Sequence, residues 1–415
     1  MRIANLEYKK SIFIIILLLL CVFQLGILWS EKNPGIPFPF SSRMRLWNSN
    51  ENIDLDEVKK NYYCADAIIV SNGKRDLYYP LEPGSSLYRA VWNDMQNSYL
   101  KQIIEKKPVL SDRNWYSLIK MKCIVVQFKN PIPTGIIRWF TGAEPTVPPA
   151  VKQIYKIAIF PSESINYSEN ILYVYDSENV YKYTVTIGQD GMKRDDYIKA
   201  IDTIDNGDVF PMNRLVASYP SVENPELLVS LIDSEKKIWD LLVKTPNEIV
   251  FNNDNIDRID EYLLEDYRSS IVTKFSEDGT NLIFSNEERV YRYYMNGFLD
   301  YQYRNKNSGD KGLVEEALEK AITFIEYRKK NLVDGADICL SSVNKDDDGL
   351  NYYIFTFDYV MDGMEIKILN DRDKTVKSAI TVCANRDRVV DVKWYIKTFA
   401  YNDYYTNYNL NFYNF

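Results

Sequence analysis

An α+β fold is what this sequence predicts: a single N-terminal transmembrane helix, then an exported ectodomain of antiparallel sheets with packed helices. Three observations carry that expectation. Residues Ser11 to Trp29 read SIFIIILLLLCVFQLGILW, nineteen positions without a charge. Beyond them, short apolar or alternating runs are divided by turn pairs such as Asn72-Gly73 and Asn296-Gly297, the pattern of strands joined in hairpins. Between these lie stretches with helical spacing, the best of them Leu313 to Leu332.

The first element is the membrane span. At about 1.5 Å per residue a helix over 11–29 reaches about 28 Å, close to the hydrocarbon core. Arg2, Lys9 and Lys10 precede it, so the positive-inside rule keeps residues 1–10 in the cytoplasm and exports the rest. A cleaved signal peptide would close on small residues, whereas this run ends in Gly26-Ile27-Leu28-Trp29; an uncleaved anchor is expected. Leu17, Cys21, Gln24 and Leu28 share one helical face. Gln24 either snorkels to the headgroups or seeks an amide partner on another helix, which makes this face a candidate interaction site.

Residues 30–50, with Pro34, Gly35, Pro37 and Pro39, form a Pro-rich linker. Three α+β sections follow, over 51–150, 151–305 and 306–415. The first predicts helices at Asp54 to Tyr62 and Ser86 to Lys106. The second of these sets Leu87, Val91, Met95, Tyr99 and Ile103 on one side, with Ser85 or Ser86 as N-cap. Strands are expected at Ala65 to Val70 and Ile124 to Phe128, and a short amphipathic segment at Gly135 to Phe140.

The middle section predicts strands at Ile154 to Ile159, Ile171 to Tyr175 and Tyr181 to Ile187. Helices are expected at Arg194 to Ile204, Ser234 to Val243 and Ile256 to Tyr267, then a hairpin through Leu282 to Phe284 and Arg289 to Tyr294. The last section opens on the Leu313 to Leu332 helix, striped by Val314, Leu318, Ala321, Ile322 and Ile325. Strands follow at Tyr352 to Val360, Met364 to Leu369, Ser378 to Cys383 and Val389 to Thr398. An internal echo pairs Tyr181 to Met192 with Tyr353 to Met364, both ending Asp-Gly-Met; either the two sections are duplicated modules or two hairpins coincide by chance.

Composition narrows the chemistry. The chain of 415 residues has 50 Lys+Arg against 58 Asp+Glu, a net charge of -8, and no histidine. Imidazole relays and His-bearing zinc sites are therefore excluded, and the acidic balance disfavours nucleic acid. Ser117-Leu118-Ile119-Lys120 and Ser234-Glu235-Lys236-Lys237 match S-x-x-K, yet no K-T-G accompanies them. Asn344 to Gly349 copies half of a calcium loop, but its twelfth position is Phe355. No catalytic, cofactor-binding or metal-ligating residue is assigned. Cys64, Cys123, Cys339 and Cys383 lie far apart and are expected as buried thiols. The aromatic C-terminus alternates at Tyr408, Leu410 and Phe412, which predicts either a buried closing strand or an exposed docking strip.

Three stretches carry a family resemblance. They are Ile124-Val-Val-Gln-Phe-Lys-Asn-Pro-Ile-Pro133 ahead of a short helix, Asp278-Gly279-Thr280 through Glu288 to Tyr293 and on to Asn296-Gly297-Phe298-Leu299, and Tyr353 to Gly363. With one N-terminal span and an ectodomain of this size, the chain resembles the YycH family, accessory regulators of the WalK/WalR (YycG/YycF) two-component system of low-GC Gram-positive bacteria. The shorter YycI family fits less well. What the resemblance implies is a non-enzymatic regulator of cell-wall homeostasis, in contact with a WalK-like sensor histidine kinase and a YycI-like protein largely through transmembrane helices. The rival readings are an exported cell-wall enzyme using Ser117 and Lys120, and an anchored ligand-binding or chaperone-like module.

Overall fold

The computed structural model describes residues 54–73, 78–144, 150–161, 168–189, 191–203, 236–245, 272–275, 281–306, 309–345, 351–369 and 376–408. The expected span, its Leu17, Cys21, Gln24 and Leu28 face, the linker and the helix expected at Ile256 to Tyr267 all lie outside them. Among the described residues no helix is long and apolar enough to cross a membrane.

In the first half, α1 (Leu55–Val58) tightens into a 3-10 turn (Lys59–Tyr62), as the spacing over 54–62 predicts. Next, α2 (Ser86–Asp94) passes through a π turn (Met95–Tyr99) into α3 (Leu100–Glu105). Ser85 is its N-cap, its hydroxyl accepting the Tyr88 N–H at 3.3 Å. Three further helices are α4 (Trp115–Ile119), α5 (Thr134–Thr141) and α6 (Arg194–Thr203). The strands are β1 (Ala67–Asn72), β2 (Tyr78–Pro80), β3 (Val109–Leu110), β4 (Lys122–Pro133), β5 (Gln153–Pro161), β6 (Glu169–Tyr175) and β7 (Val180–Thr186). They form one antiparallel sheet in the order β2-β1-β4-β5-β6-β7-β3, so strands from both sides of residue 150 share it.

That sheet is covered on both faces. Cys123 to Phe128 of β4 is buried at every position. Ile124, Val126 and Phe128 join Val91, Met95, Ile103 and Ile136 from the helices on one side. Cys123 and Val125 face Trp115, Leu118 and Ile119 of α4 on the other. A continuous apolar run is what a doubly covered strand requires.

The second half contains β8 (Lys236–Lys244), β9 (Val272–Phe275), β10 (Asn281–Ser285), β11 (Arg289–Tyr294), β12 (Phe298–Tyr303), β13 (Asp337–Lys345) and β14 (Tyr353–Met361). There follow β15 (Met364–Ile366), β16 (Ile368–Leu369), β17 (Val376–Lys377), β18 (Ile380–Ala384), β19 (Val389–Tyr395) and β20 (Thr398–Tyr408). Its large sheet runs β13-β14-β18-β19-β12-β11-β10-β9, with β15 on β14; β16-β17 and β20-β8 are separate two-stranded ribbons. The one long helix, α7 (Val314–Leu332), lies against this sheet. Its Leu318, Ala321, Ile322 and Ile325 are fully buried in one cluster with Phe355, Val382, Val392 and Trp394. The strands alternate, as β18 and β12 show by burying every second residue, so only one face packs on the helix.

The halves are tied at several points. Arg138 of α5 pairs with Glu315 of α7, and Trp139 Nε1 donates to Glu319 at 3.3 Å. Gly135 permits this approach, because a Cβ there would stand 2.9 Å from a Glu315 carboxylate oxygen. The Tyr62 hydroxyl donates to Glu326 at 2.6 Å while its ring meets Phe357 edge-on.

Three expectations are corrected. Cys64 and Cys339 are not separate thiols but a disulfide across 275 residues, with Cα atoms 6.2 Å apart; Cys123 and Cys383 take no part in a disulfide. The stretch Ser234 to Val243 is not helical, since Lys236 to Lys244 pairs as β8 with β20. Ile238, Leu241 and Leu242 fit helical spacing, but backbone pairing to a partner strand overrides that local pattern. The Asp-Gly-Met echo is not a shared substructure. Asp362 and Gly363, with φ of 50° and 78°, form the tight turn from β14 to β15, whereas β7 leads through Gly191-Met192 into α6.

Candidate interaction site

The C-terminal ribbon is the described part of the aromatic tail. Its root is fixed: Phe399 is buried against Tyr359, its N–H donates to the Asp334 carbonyl at 2.9 Å, and Gly335 (φ 77°) makes room for its backbone. Lys397 Nζ bonds Thr245 Oγ1 at 3.0 Å and the Asn296 carbonyl at 2.7 Å, clamping β8 and the β11–β12 turn to the same root. From there, among the described residues, β20 pairs with β8 alone, out to Tyr408 opposite Lys236. Along this ribbon Leu242 is 41% exposed, Val243 48% and Tyr401 41%. The Tyr401 hydroxyl donates to Asp362, tethering β20 beside the β14–β15 turn. Residues 398–408 are therefore strand, paired outside both large sheets; of the alternating positions Tyr408 ends that strand, and Leu410 and Phe412 lie outside the described residues.

Ser117 sits in the first turn of α4, where its hydroxyl donates to the Asn114 carbonyl at 2.9 Å and Asn114 Oδ1 accepts its N–H at 2.7 Å. That is helix-capping geometry. The Lys120 ammonium lies 4.3 Å from the Tyr116 ring centroid. Of the second S-x-x-K, Ser234 lies outside the described residues and Lys237 is on β8. Phe355, at the calcium loop's closing position, is fully buried on β14, with Val343 of β13 opposite it. Asp346 to Gly349 lie outside the described residues.

Two buried carboxylates escaped the sequence reading. Asp94 accepts the Tyr197 hydroxyl at 2.7 Å and the Met192 N–H at 3.0 Å, pinning α6 and its approach to the π turn of α2. Burial raises its pKa against the lowering effect of those bonds. Burial likewise pushes the neighbouring Tyr99 hydroxyl up to about 12. The signal was present: an Asp between Val91 and Met95 interrupts an apolar stripe. Asp358 on β14 is 5% exposed, bonded by Lys129 Nζ at 2.9 Å, the Ala379 N–H at 3.2 Å and Ser341 Oγ. Burial opposes its charge, and the bonds around it, from Glu365, Ser341 and Lys129, hold its pKa below the usual carboxylate value. Both sites bond inward to the chain itself, which fits anchoring of segments.

The described parts of the stretches that carried the family resemblance fall on defined elements: β4 running into α5, the β10–β11–β12 meander, and β14 with its turn; Asp278 to Thr280 lie outside the described residues. No family model matches the chain, and no curated protein matches it in sequence. Among solved structures it is similar to YycH from Bacillus subtilis, at 12% identity and a TM-score of 0.59, with 84% of each chain covered. The extent of that match shows that the chain has the YycH fold.

Proposed function

We propose that this chain is a membrane-anchored regulator working outside the cytoplasm, which tunes a WalK-like sensor histidine kinase controlling cell-wall homeostasis through protein contacts and carries out no catalysis. The observation that carries the reading is the YycH fold across 84% of the chain. The uncharged run at 11–29 supplies the anchor, and its Leu17, Cys21, Gln24 and Leu28 face the contact within the membrane. The exposed apolar positions of the β8–β20 ribbon offer a second contact outside, to the kinase or to a YycI-like partner.

The test is crosslinking in intact membranes, followed by replacement of residues 11–29 with an unrelated span. A histidine kinase among the crosslinked proteins, lost or weakened with the foreign span and with Gln24→Leu, is the expected result. Recovery of no kinase sinks the proposal. Full function with the foreign span would show a passive anchor and shift the contact to the ectodomain.

A further inference from the structure

The second sheet packs one face on α7; on the other face, among the described residues, β12, β19 and β18 carry partly exposed side chains arranged in rows. Register places Asp300 of β12 opposite Lys393 of β19, and Lys393 opposite Thr381 of β18, so a polar row crosses three strands. Two residues along, and so on the same face, Phe298 lies opposite Tyr395. Their ring centroids are 4.8 Å apart, and Tyr294 adds a third ring 5.6 Å from Phe298. An aromatic row thus runs beside the polar one. A cleft of about 660 Å³ lies over both, with Lys377 on its wall. Its volume falls within the roughly 300–1,000 Å³ of small-ligand sites.

Charge distinguishes the groups in it. Asp300 is engaged, accepting from Arg292 at 3.1 Å and from Gln302 at 3.2 Å. Lys377 and Lys393 are exposed, and neither makes an ion pair among the described residues. A chain of net charge -8 therefore holds here two exposed ammoniums, without an ion pair among the described residues, beside partly exposed aromatic faces. Aromatic faces suit the C–H side of a pyranose, hydroxyls and amides suit its OH groups, and ammoniums suit a carboxylate or phosphate. Long polyanions are disfavoured by the overall charge.

We propose that this cleft binds an anionic saccharide, with a sugar ring on Phe298 and Tyr395 and its carboxylate or phosphate between Lys377 and Lys393. The site is independent of the kinase reading. The full chain in detergent is titrated at low salt with glucuronic acid, glucose 6-phosphate, glucose and inorganic phosphate, read by isothermal titration calorimetry. Saturable binding of at least one anionic sugar, tenfold or more above glucose, is expected, and the stronger of the two identifies the anion. Lys377→Gln with Lys393→Gln should weaken it at least tenfold without moving the melting temperature, because both side chains are exposed. Phe298→Ala should weaken both sugars and leave phosphate alone. Phosphate binding as tightly as the anionic sugars, with Phe298→Ala without effect, would reduce the site to a bare anion patch and overturn the proposal. So would the absence of saturable binding by either acid, or binding that survives the double lysine change.

Discussion

The two large sheets share antiparallel construction and differ in how their faces are used. In β4 of the first, consecutive residues Val125 and Val126 are both fully buried, one against α4 and the other against the α2–α5 layer. In β19 of the second, Val392 is fully buried and Lys393 beside it is exposed. Around β4 the first sheet is thus an interior, while the second, among the described residues, keeps much of one face exposed. Where a fold with this division acts on something outside itself, the second half is the place to look.

The sharpest way to break that comparison is to charge both positions of each strand. Val125→Asp and Val126→Asp should each destabilise by about 4 kcal/mol or more, since either places a carboxylate in a closed apolar layer. Val392→Asp should match them, whereas Lys393→Asp should stay within about 0.5 kcal/mol. Urea midpoints decide it: a tolerated Val125→Asp would mean that α4 does not close the first sheet's second face.

Next in size is the link between the halves. Changing Cys64 or Cys339 to Ser removes a bridge closing a 275-residue loop, and about 2–4 kcal/mol of stability should go with it. Alkylation of the unmutated chain, unfolded without reduction, should label Cys21, Cys123 and Cys383 alone; labelling of Cys64 would rule the bridge out.

The buried carboxylates give effects of opposite sign. The pKa of Asp358 is lowered on folding, so its contribution is complete above the unfolded value near 3.8 and is lost as pH falls through the folded value. That of Asp94 is raised, so its contribution is complete below about 3.8 and shrinks as pH rises from there through the folded value. Asp358→Asn should therefore cost about 1–3 kcal/mol at pH 7 by unmaking charge-assisted bonds, and flatten the acid limb. Asp94→Asn should instead remove a loss of stability on the way from pH 4 to neutrality. Identical pH profiles for the two variants would contradict the assignment.

How much of this the sequence showed depends on which interactions set each element. The run Cys123 to Phe128 and the stripe of α7 are local periodicities, and both appear where they predict. The span Lys236 to Lys244 was misread because its helical spacing is local while its strand pairing depends on residues 398–408. The Cys64–Cys339 bridge, the Asp94–Tyr197 bond and the Phe298–Tyr395 row unite residues 97 or more positions apart, which no single window can relate. Strand β13 was missed for another reason: Ser341, Ser342 and Asn344 dilute its apolar alternation on the open face.

The smallest expected stability effect falls on the ribbon and carries the most functional information. Leu242 and Val243 are substantially exposed on β8, whose described pairing is to β20 alone. Replacing both with Ser removes little buried area, so the melting curve should shift by no more than about 0.5 kcal/mol in equivalent stability. If the ribbon is a contact surface, the same double variant should lower recovery of the partner crosslinked from membranes, because apolar side chains at the centre of a contact carry much of its energy. An unchanged recovery would clear the ribbon and leave the proposed membrane span as the contact. A large loss of stability would mean that Leu242 and Val243 pack inward on their own chain, making the ribbon a closing element after all. The free face of the second sheet would then be the surface left to meet the outside.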